Sequence, residues 1–187
     1  LKRSSVFHTG SYFSYSERFS GFVLKMVQTA RKNGLFITYD PNWRESKVPS
    51  KRDARKNLRK PLPLVDLMKL SKVDIIGITG ARSLKGALSS VSKDLKGDLV
   101  VTLGKQGSFC LSGKQRIEQE AFGVKVVDTI GAGDGFTAGL IYRLIKLGRE
   151  KFSSQKQKNL EFASGVSALV CAGSGAIGAL RGKKQVL

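Results

Sequence analysis

The residues with the clearest chemical potential form one run, Asp128-Thr129-Ile130-Gly131-Ala132-Gly133-Asp134-Gly135-Phe136-Thr137-Ala138-Gly139-Leu140. The apolar residues 124–127 read as a buried strand that brings the chain to a sheet edge. Residues 131–133 supply a tight turn, and residues 135–147 read as a helix. N–H groups at a helix start have no intrahelical partners, and together with the positive end of the macrodipole they favour an anion, for which a phosphate is the natural guest. A fixed carboxylate beside that cradle, Asp134, suits removal of a proton from a hydroxyl while the cradle neutralises charge on a group being transferred. The combination points to phosphoryl transfer.

Two other readings of the same glycines fail on spacing. Gly133-Asp134-Gly135-Phe136-Thr137-Ala138 fits the dinucleotide pattern G-x-G-x-x-A, but the acidic residue needed about twenty positions later to hold a ribose is absent from Ser153-Ser154-Gln155-Lys156. A carboxylate inside that loop would also repel a pyrophosphate. No G-x-x-x-x-G-K-[ST] sequence occurs, so there is no P-loop. The plain structural reading is a glycine turn with Asp134 capping a helix.

The run resembles the C-terminal signature of the ribokinase-type (PfkB) carbohydrate kinases, Asp-Thr-x-Gly-Ala-Gly-Asp. The resemblance implies that Gly131, Ala132 and Gly133 supply an anion hole and that Asp134 is the catalytic base. Upstream, Thr102-Leu103-Gly104-Lys105-Gln106-Gly107 resembles the Thr-x-Gly-x-x-Gly nucleotide loop of that family, which implies ATP contacts at Thr102, Gly104 and Gly107. Asp40-Pro41-Asn42-Trp43-Arg44 resembles the Asp-Pro-Asn-x-Arg segment of fructokinases and 2-keto-3-deoxygluconate kinases. Carried over, Asn42 stands near the phosphates and Arg44 near the substrate or the transferred group; as ordinary chemistry, the same residues make a turn and a surface charge. For Asp128 the resemblance implies a potassium site shared with carbonyls of Ile130, Gly173 and Gly175, and the local sequence implies a turn residue; both readings stand.

What the resemblance implies for the whole is a ribokinase-like three-layer α/β sandwich with a mainly parallel sheet. The implied activity is ATP-dependent, magnesium-assisted phosphorylation of a sugar hydroxyl, fructokinase-like, in the cytoplasm, with an oligomer open to the full-length protein. The alternatives are a 2-keto-3-deoxygluconate or nucleoside kinase of the same family, or a non-catalytic basic remnant that binds nucleic acid or a partner. The resemblance spans residues 1–187 as a single C-terminal portion, roughly three-fifths of a complete enzyme. The N-terminal sugar-binding strands and the lid are expected to be missing, which puts sugar phosphorylation by this length of chain in doubt.

The bulk numbers agree with a cored domain. A chain of 187 residues with 41% hydrophobic content suffices for one domain, and no apolar run is long enough for a membrane span. Leu1-Lys2-Arg3-Ser4-Ser5 leads into a short apolar strand, unlike a signal peptide. Cys110 and Cys171 lie among apolar or small neighbours and read as buried, reduced thiols. The formal charge of +19 is the anomaly, since a sugar kinase has no need of it. Between Arg44 and Lys60 stand eight basic residues against Glu45 and Asp53, with Trp43 the only ring nearby. Without interleaved aromatics a solvated helix face is preferred to a nucleic-acid patch.

The positioning elements follow from periodicity. Strands are expected at 4–8, 35–39, 73–78, 99–103 and 108–111, and helices at 17–32, 64–70, 84–95, 135–147 and 159–172. Phe19, Phe22, Val23, Met26, Val27 and Ala30 recur at helical spacing and are expected to be core, and His8 reads as structural. Strands alternating with helices argue for a mainly parallel sheet covered on both faces, with ligands at the C-terminal strand ends. Two departures from the family pattern stand out. The Asn-x-x-Glu element, placed after a strand at 73–78, is expected at Thr79-Gly80-Ala81-Arg82, where a cation replaces the carboxylate. Gly135 replaces a small side chain, which loosens the helix start by up to about 1 kcal/mol.

Overall fold

The computed structural model describes residues 4–176 and 178. Strands and helices alternate as β1 (Val6–Gly10), α1 (Ser20–Lys32), β2 (Phe36–Asp40), α2 (Lys51–Arg59), β3 (Leu67–Ser71), α3 (Lys72–Thr79), α4 (Leu84–Ser92) and β4 (Asp98–Thr102). There follow β5 (Ser108–Ser112), β6 (Gln115–Gln119), α5 (Ala132–Leu147), α6 (Arg149–Ser154) and α7 (Lys156–Cys171). The strands form one six-stranded sheet in the order β1-β2-β3-β4-β5-β6, with β1 parallel to β2 and β2 parallel to β3. β5 and β6 are separated only by Gly113 and Lys114, a span that joins antiparallel neighbours. The expected α/β architecture is therefore present. By contact density the chain divides into two compact units, Leu1–Val101 with Leu111–Lys114 and Thr102–Cys110 with Gln115–Leu187.

In the first unit β2 is buried along its whole length and β3 over all but its last residue, as parallel strands with apolar surroundings require. The pairing is pinned from the side. The Asp66 carboxylate accepts the Ile37 N–H at 2.7 Å, and the Asp66 N–H donates to the Ile37 carbonyl at 2.9 Å. His8 sits opposite Thr38 in the β1–β2 register and its Nδ1 lies 2.9 Å from Thr38 Oγ1, a structural role as expected. Lys69 and Asp40 form a buried ion pair at 3.0 Å, each side chain 8% exposed.

Four expectations are corrected here. Residues 64–70 are not a helix: a short 3-10 turn at Leu62–Leu64 gives way to β3. Residues 73–78 are not a strand but lie inside α3. The cause is a capping box, in which Ser71 Oγ accepts the Asp74 N–H at 3.0 Å while the Asp74 carboxylate accepts the Ser71 N–H at 2.9 Å. That pair starts a helix in a β-branched run, and Gly77 lies so close to the Trp43 indole that an added Cβ would come within 2.4 Å of it. On α1 only part of the apolar stripe is core: Val27 and Ala30 are buried, whereas Phe22 is 65% and Met26 40% exposed, both on one flank of the buried line. In the second unit, residues 124–127 form no strand; Val126 and Val127 are each 59% exposed. Their β-branched composition mimics a strand, but what engages the backbone there is the Cys171 carbonyl, which accepts the Val127 N–H at 2.8 Å.

α2 begins at Ser50, whose hydroxyl accepts the Asp53 N–H at 3.2 Å, and buries Ala54 and Leu58. The basic stretch is thus a helix with one apolar face, and much of its charge is engaged locally. Arg59 pairs with Asp94 at 2.6 Å, Arg55 Nε donates to the Gly77 carbonyl at 3.0 Å, and Lys51 pairs with Glu45. Cys110 is buried as expected and Cys171 is half-buried.

The second unit is built on α5 against α7. Its packing is close because both facing residues on α5 lack side chains. A Cβ on Gly135 would come within 2.9 Å of Val170 Cγ2, and one on Gly139 within 2.9 Å of Ala163 Cα. Gly135 therefore has a packing reason that its low helix propensity conceals. β6 meets α7 through Gln157 Nε2 donating to Gln119 Oε1 at 2.9 Å, and Arg116 lies 3.8 Å over the Phe109 ring.

Candidate functional site

The helix start that the sequence singled out is formed. Gly131 is the N-cap of α5 at φ 80°, in the left-handed region, and an added Cβ would stand 2.7 Å from the Ala176 Cβ. Only glycine meets both conditions. Having no side chain, it offers no cap to the first turn. The Ala132 N–H turns back to the Thr129 carbonyl at 3.2 Å, and the Gly135 N–H closes the first helical bond to Gly131 at 2.8 Å. Between them the N–H groups of Gly133 and Asp134 have no acceptor among the described residues. Of the three amides assigned to an anion hole, Ala132 is thus engaged within the turn. Asp134 is exposed in the first turn, beside those unengaged amides. Ser167 Oγ donates to the Ala132 carbonyl at 3.0 Å and Thr137 Oγ1 to the Gly133 carbonyl at 3.1 Å, so the elbow is tied to α7 and to the next turn of α5.

Asp128 fastens the approach to this elbow. One carboxylate oxygen accepts the Ile130 N–H at 2.9 Å, an Asx turn, and the other accepts the Gly175 N–H at 3.1 Å. These amide hydrogen bonds, Ile130 first, hold its carboxyl below the usual aspartate value. The structure therefore brings Asp128, Ile130 and Gly175 together, and Gly173 follows directly on the α7 terminus through its N–H to Val170 at 3.2 Å. Beside them the Cys171 thiol is pushed up, first by burial and then by the Asp128 charge.

The expected nucleotide loop is a tight turn in the same unit. The Leu103 N–H donates to the Gly107 carbonyl at 2.7 Å, and Gly104 and Gly107 have φ of 63° and 87°. The two glycines differ in surroundings. Nothing lies within 4 Å of a Cβ built on Gly104, while one on Gly107 would meet the Gln119 carbonyl at 2.0 Å. Gly104 is the open position; Gly107 is buried against β6. Thr102 ends β4 half-buried. Among the described residues, no hydrogen bond joins this loop directly to the Asp128–Asp134 run; Ser108 Oγ lies 3.5 Å from Ser164 Oγ on α7, and α7 carries the elbow.

Asn42 and Arg44 belong to the first unit, where β2 ends. Asn42 is half-buried at φ 45° and Arg44 is exposed. The resemblance did not mark the residues that hold them: Tyr15, Asp74 and Lys69. Tyr15 bonds the backbone of Asn42 and Arg44, Asp74 accepts the Trp43 N–H at 2.9 Å, and Lys69 pairs with Asp40. The spacing Ser71-Lys72-Val73-Asp74 was a legible helix-start signal. It also moves the family's Asn-x-x-Glu element. That element is expected after a strand, and the strand here is β3, so the stretch standing in that place is Ser71-Lys72-Val73-Asp74 and not Thr79-Gly80-Ala81-Arg82. A carboxylate is present at its fourth position, and its oxygens receive the amides of Trp43 and Ser71.

The chain matches the family model described as pfkB family carbohydrate kinase over residues 1–181. Fructokinase-1 of Oryza sativa subsp. japonica is 32% identical over 192 residues, an alignment covering 100% of this chain and 58% of the rice protein. Among solved structures, the fructokinase of Vibrio cholerae O395 bound to fructose, ADP and calcium superposes with a TM-score of 0.89 at 24% identity, over 100% of this chain and 60% of that one. A double mutant of that fructokinase bound to fructose, ADP and potassium gives 0.83 at 23% identity, over 98% and 61%. The chain spans about three-fifths of the length of the rice and Vibrio cholerae fructokinases.

Proposed function

Because the chain belongs to the PfkB family of carbohydrate kinases, we propose that it carries the nucleotide site and catalytic base of an ATP-dependent kinase whose acceptor is a sugar hydroxyl, with fructose the first candidate. The observation that carries this reading is the α5 start: an uncapped left-handed glycine, two N–H groups without acceptors, and an exposed carboxylate beside them. Asp134 takes the proton of the acceptor hydroxyl, whose oxygen forms a bond to the γ-phosphorus of ATP. The bond from that phosphorus to the β–γ bridging oxygen breaks and ADP leaves. The Gly131–Gly133 turn and the first residue after it offer the amides left unengaged, with Ala132 held by Thr129, to the oxygens of the phosphoryl group, where fixed N–H dipoles favour the charge that develops. Thr102 and the open Gly104 receive the nucleotide, and Gly107 sets the turn beneath them. Asn42 and Arg44 offer an amide and a guanidinium to phosphate or substrate oxygens.

Magnesium neutralises phosphate charge in such reactions. Among the described residues no group of three or more His, Cys, Asp or Glu comes together to hold a metal. A monovalent cation at Asp128, Ile130, Gly173 and Gly175 is part of the same reading. One carboxylate and backbone carbonyls are hard oxygen donors of the kind it takes, and the potassium-bound fructokinase supports it.

The test is a panel of acceptors, fructose, 2-keto-3-deoxygluconate and nucleosides, assayed with ATP in the longest native polypeptide that contains this sequence. Fructose is expected to be phosphorylated fastest. Asp134→Asn is expected to reduce turnover by about 10³-fold or more while leaving ATP affinity within roughly twofold. Near-normal turnover in that variant rejects Asp134 as base, and ATP binding without transfer to any acceptor rejects the kinase reading.

A further inference from the structure

Tyr15 lies in the connection between β1 and α1, 27 residues before Asn42, and is 0% exposed. Its hydroxyl accepts the Arg44 N–H at 2.9 Å and donates to the Asn42 carbonyl at 3.2 Å. One oxygen thus closes both ends of the three-residue segment Asn42-Trp43-Arg44. The Tyr15 ring packs on the Trp43 ring between those ends, with centroids 5.2 Å apart. From α3, the Asp74 carboxylate receives the Trp43 N–H at 2.9 Å. Burial raises the Tyr15 phenol above its ordinary pKa, so it stays protonated and able to donate.

Such bracing has a reason in the backbone. Asn42 is at φ 45°, in the left-handed region, which asparagine tolerates better than other residues with a Cβ but still at a cost that its surroundings offset. Pro41 cannot supply the restraint, because it fixes its own φ and not that of the next residue. Released, Asn42 would relax toward negative φ and swing the Arg44 side chain with it.

We propose that Tyr15 is a positioning residue for the Asn42–Arg44 segment, its hydroxyl holding Asn42 in the left-handed region and thereby aiming Asn42 and Arg44 at the oxygens of a bound substrate. The effect on catalysis rests on the kinase reading above; the effect on the segment's order does not.

Tyr15→Phe removes the oxygen and keeps the ring. Trp43 is the only tryptophan, so its emission reports on the segment alone. The expected result is a cooperative melting transition, a red-shifted Trp43 emission, and Arg44 amide exchange accelerated by about tenfold or more. In the kinase assay, the KM for the acceptor is expected to rise by about tenfold, a change that a smaller folded fraction does not produce. Unchanged exchange and emission overturn the proposal, and accelerated exchange with an unchanged acceptor KM overturns its catalytic half. If the unsubstituted protein transfers phosphate to no acceptor, the kinase reading falls, and the exchange rate still decides the role of Tyr15. Should Tyr15→Phe not fold, the unsubstituted chain gives the second test: the Arg44 amide is expected to be protected, and exchange as fast as in an unstructured peptide overturns the proposal.

Discussion

Asp128 shows how one carboxylate organises a loop. Its two oxygens receive amides from Ile130 and from Gly175, the latter 47 positions away from Asp128, so a single side chain joins the approach to α5 with the exit from α7. Both bonds favour the charged form, and the folded-state pKa accordingly lies below the ordinary value of 3.8. A lowered carboxylate pKa contributes stability that is complete above the unfolded value and is lost as pH falls through the folded value. Amide exchange at Ile130 and Gly175 is therefore expected to stay slow down to the ordinary aspartate range and to accelerate below it. Asp128→Asn should make exchange at both amides fast and nearly pH-independent after correction for intrinsic rates. If the variant retains the steep acid dependence, some other group controls the loop.

Between elements, the decisive contacts are those that glycine permits. Gly135 and Gly139 bring α5 onto α7 until backbone nearly touches backbone, and α7 in turn ties down the Ala132 carbonyl through Ser167. Replacing Gly139 by alanine should gain up to about 1 kcal/mol of helix propensity. The new Cβ would stand 2.9 Å from Ala163 Cα, however, and overpacking against backbone costs about 1–3 kcal/mol. The sum favours destabilisation, so Gly139→Ala is expected to lower the melting temperature by a few degrees; a higher one would show that the helices separate freely. In the first unit the same scale is governed by polar contacts. Ser71 and Asp74 start α3, and Asp74 reaches on to Trp43, so the helix start and the Asn42–Arg44 segment share one carboxylate.

For the molecule as a whole, charge is the outstanding property. A formal +19 on 187 residues opposes compaction, even though Arg55 and Arg59 are bonded locally. Raising salt from about 0.02 M to about 0.3 M shortens the screening length from roughly 20 Å to below 6 Å. The melting temperature is expected to rise by about 3 °C or more over that interval, because repulsion between distant cations is relieved more than short ion pairs are weakened. A flat or falling curve would mean that the surface cations are already balanced within the fold. No described helix is long and apolar enough to cross a membrane.

The amino-acid sequence by itself determined the α/β class, the strand–helix alternation, the helix at 135–147 and the glycine elbow before it. Each is a local signal: a period, a breaker, or a motif whose residues are neighbours in the chain. It misassigned residues 64–70 and 73–78 because short apolar runs satisfy helix and strand alike, and what separated them was the capping bond between Ser71 and Asp74. It assigned residues 124–127 to a strand because Val124, Val126 and Val127 have β propensity, yet a strand exists only where another backbone lies alongside to complete its hydrogen bonds. Tertiary structure alone decided that Gly107 is walled in by Gln119 while Gly104 is open, that Gly135 answers to Val170, and that Tyr15 braces a segment 27 residues away. Those outcomes depend on which atoms arrive at one place from distant parts of the chain, and no spacing along the sequence encodes that distance.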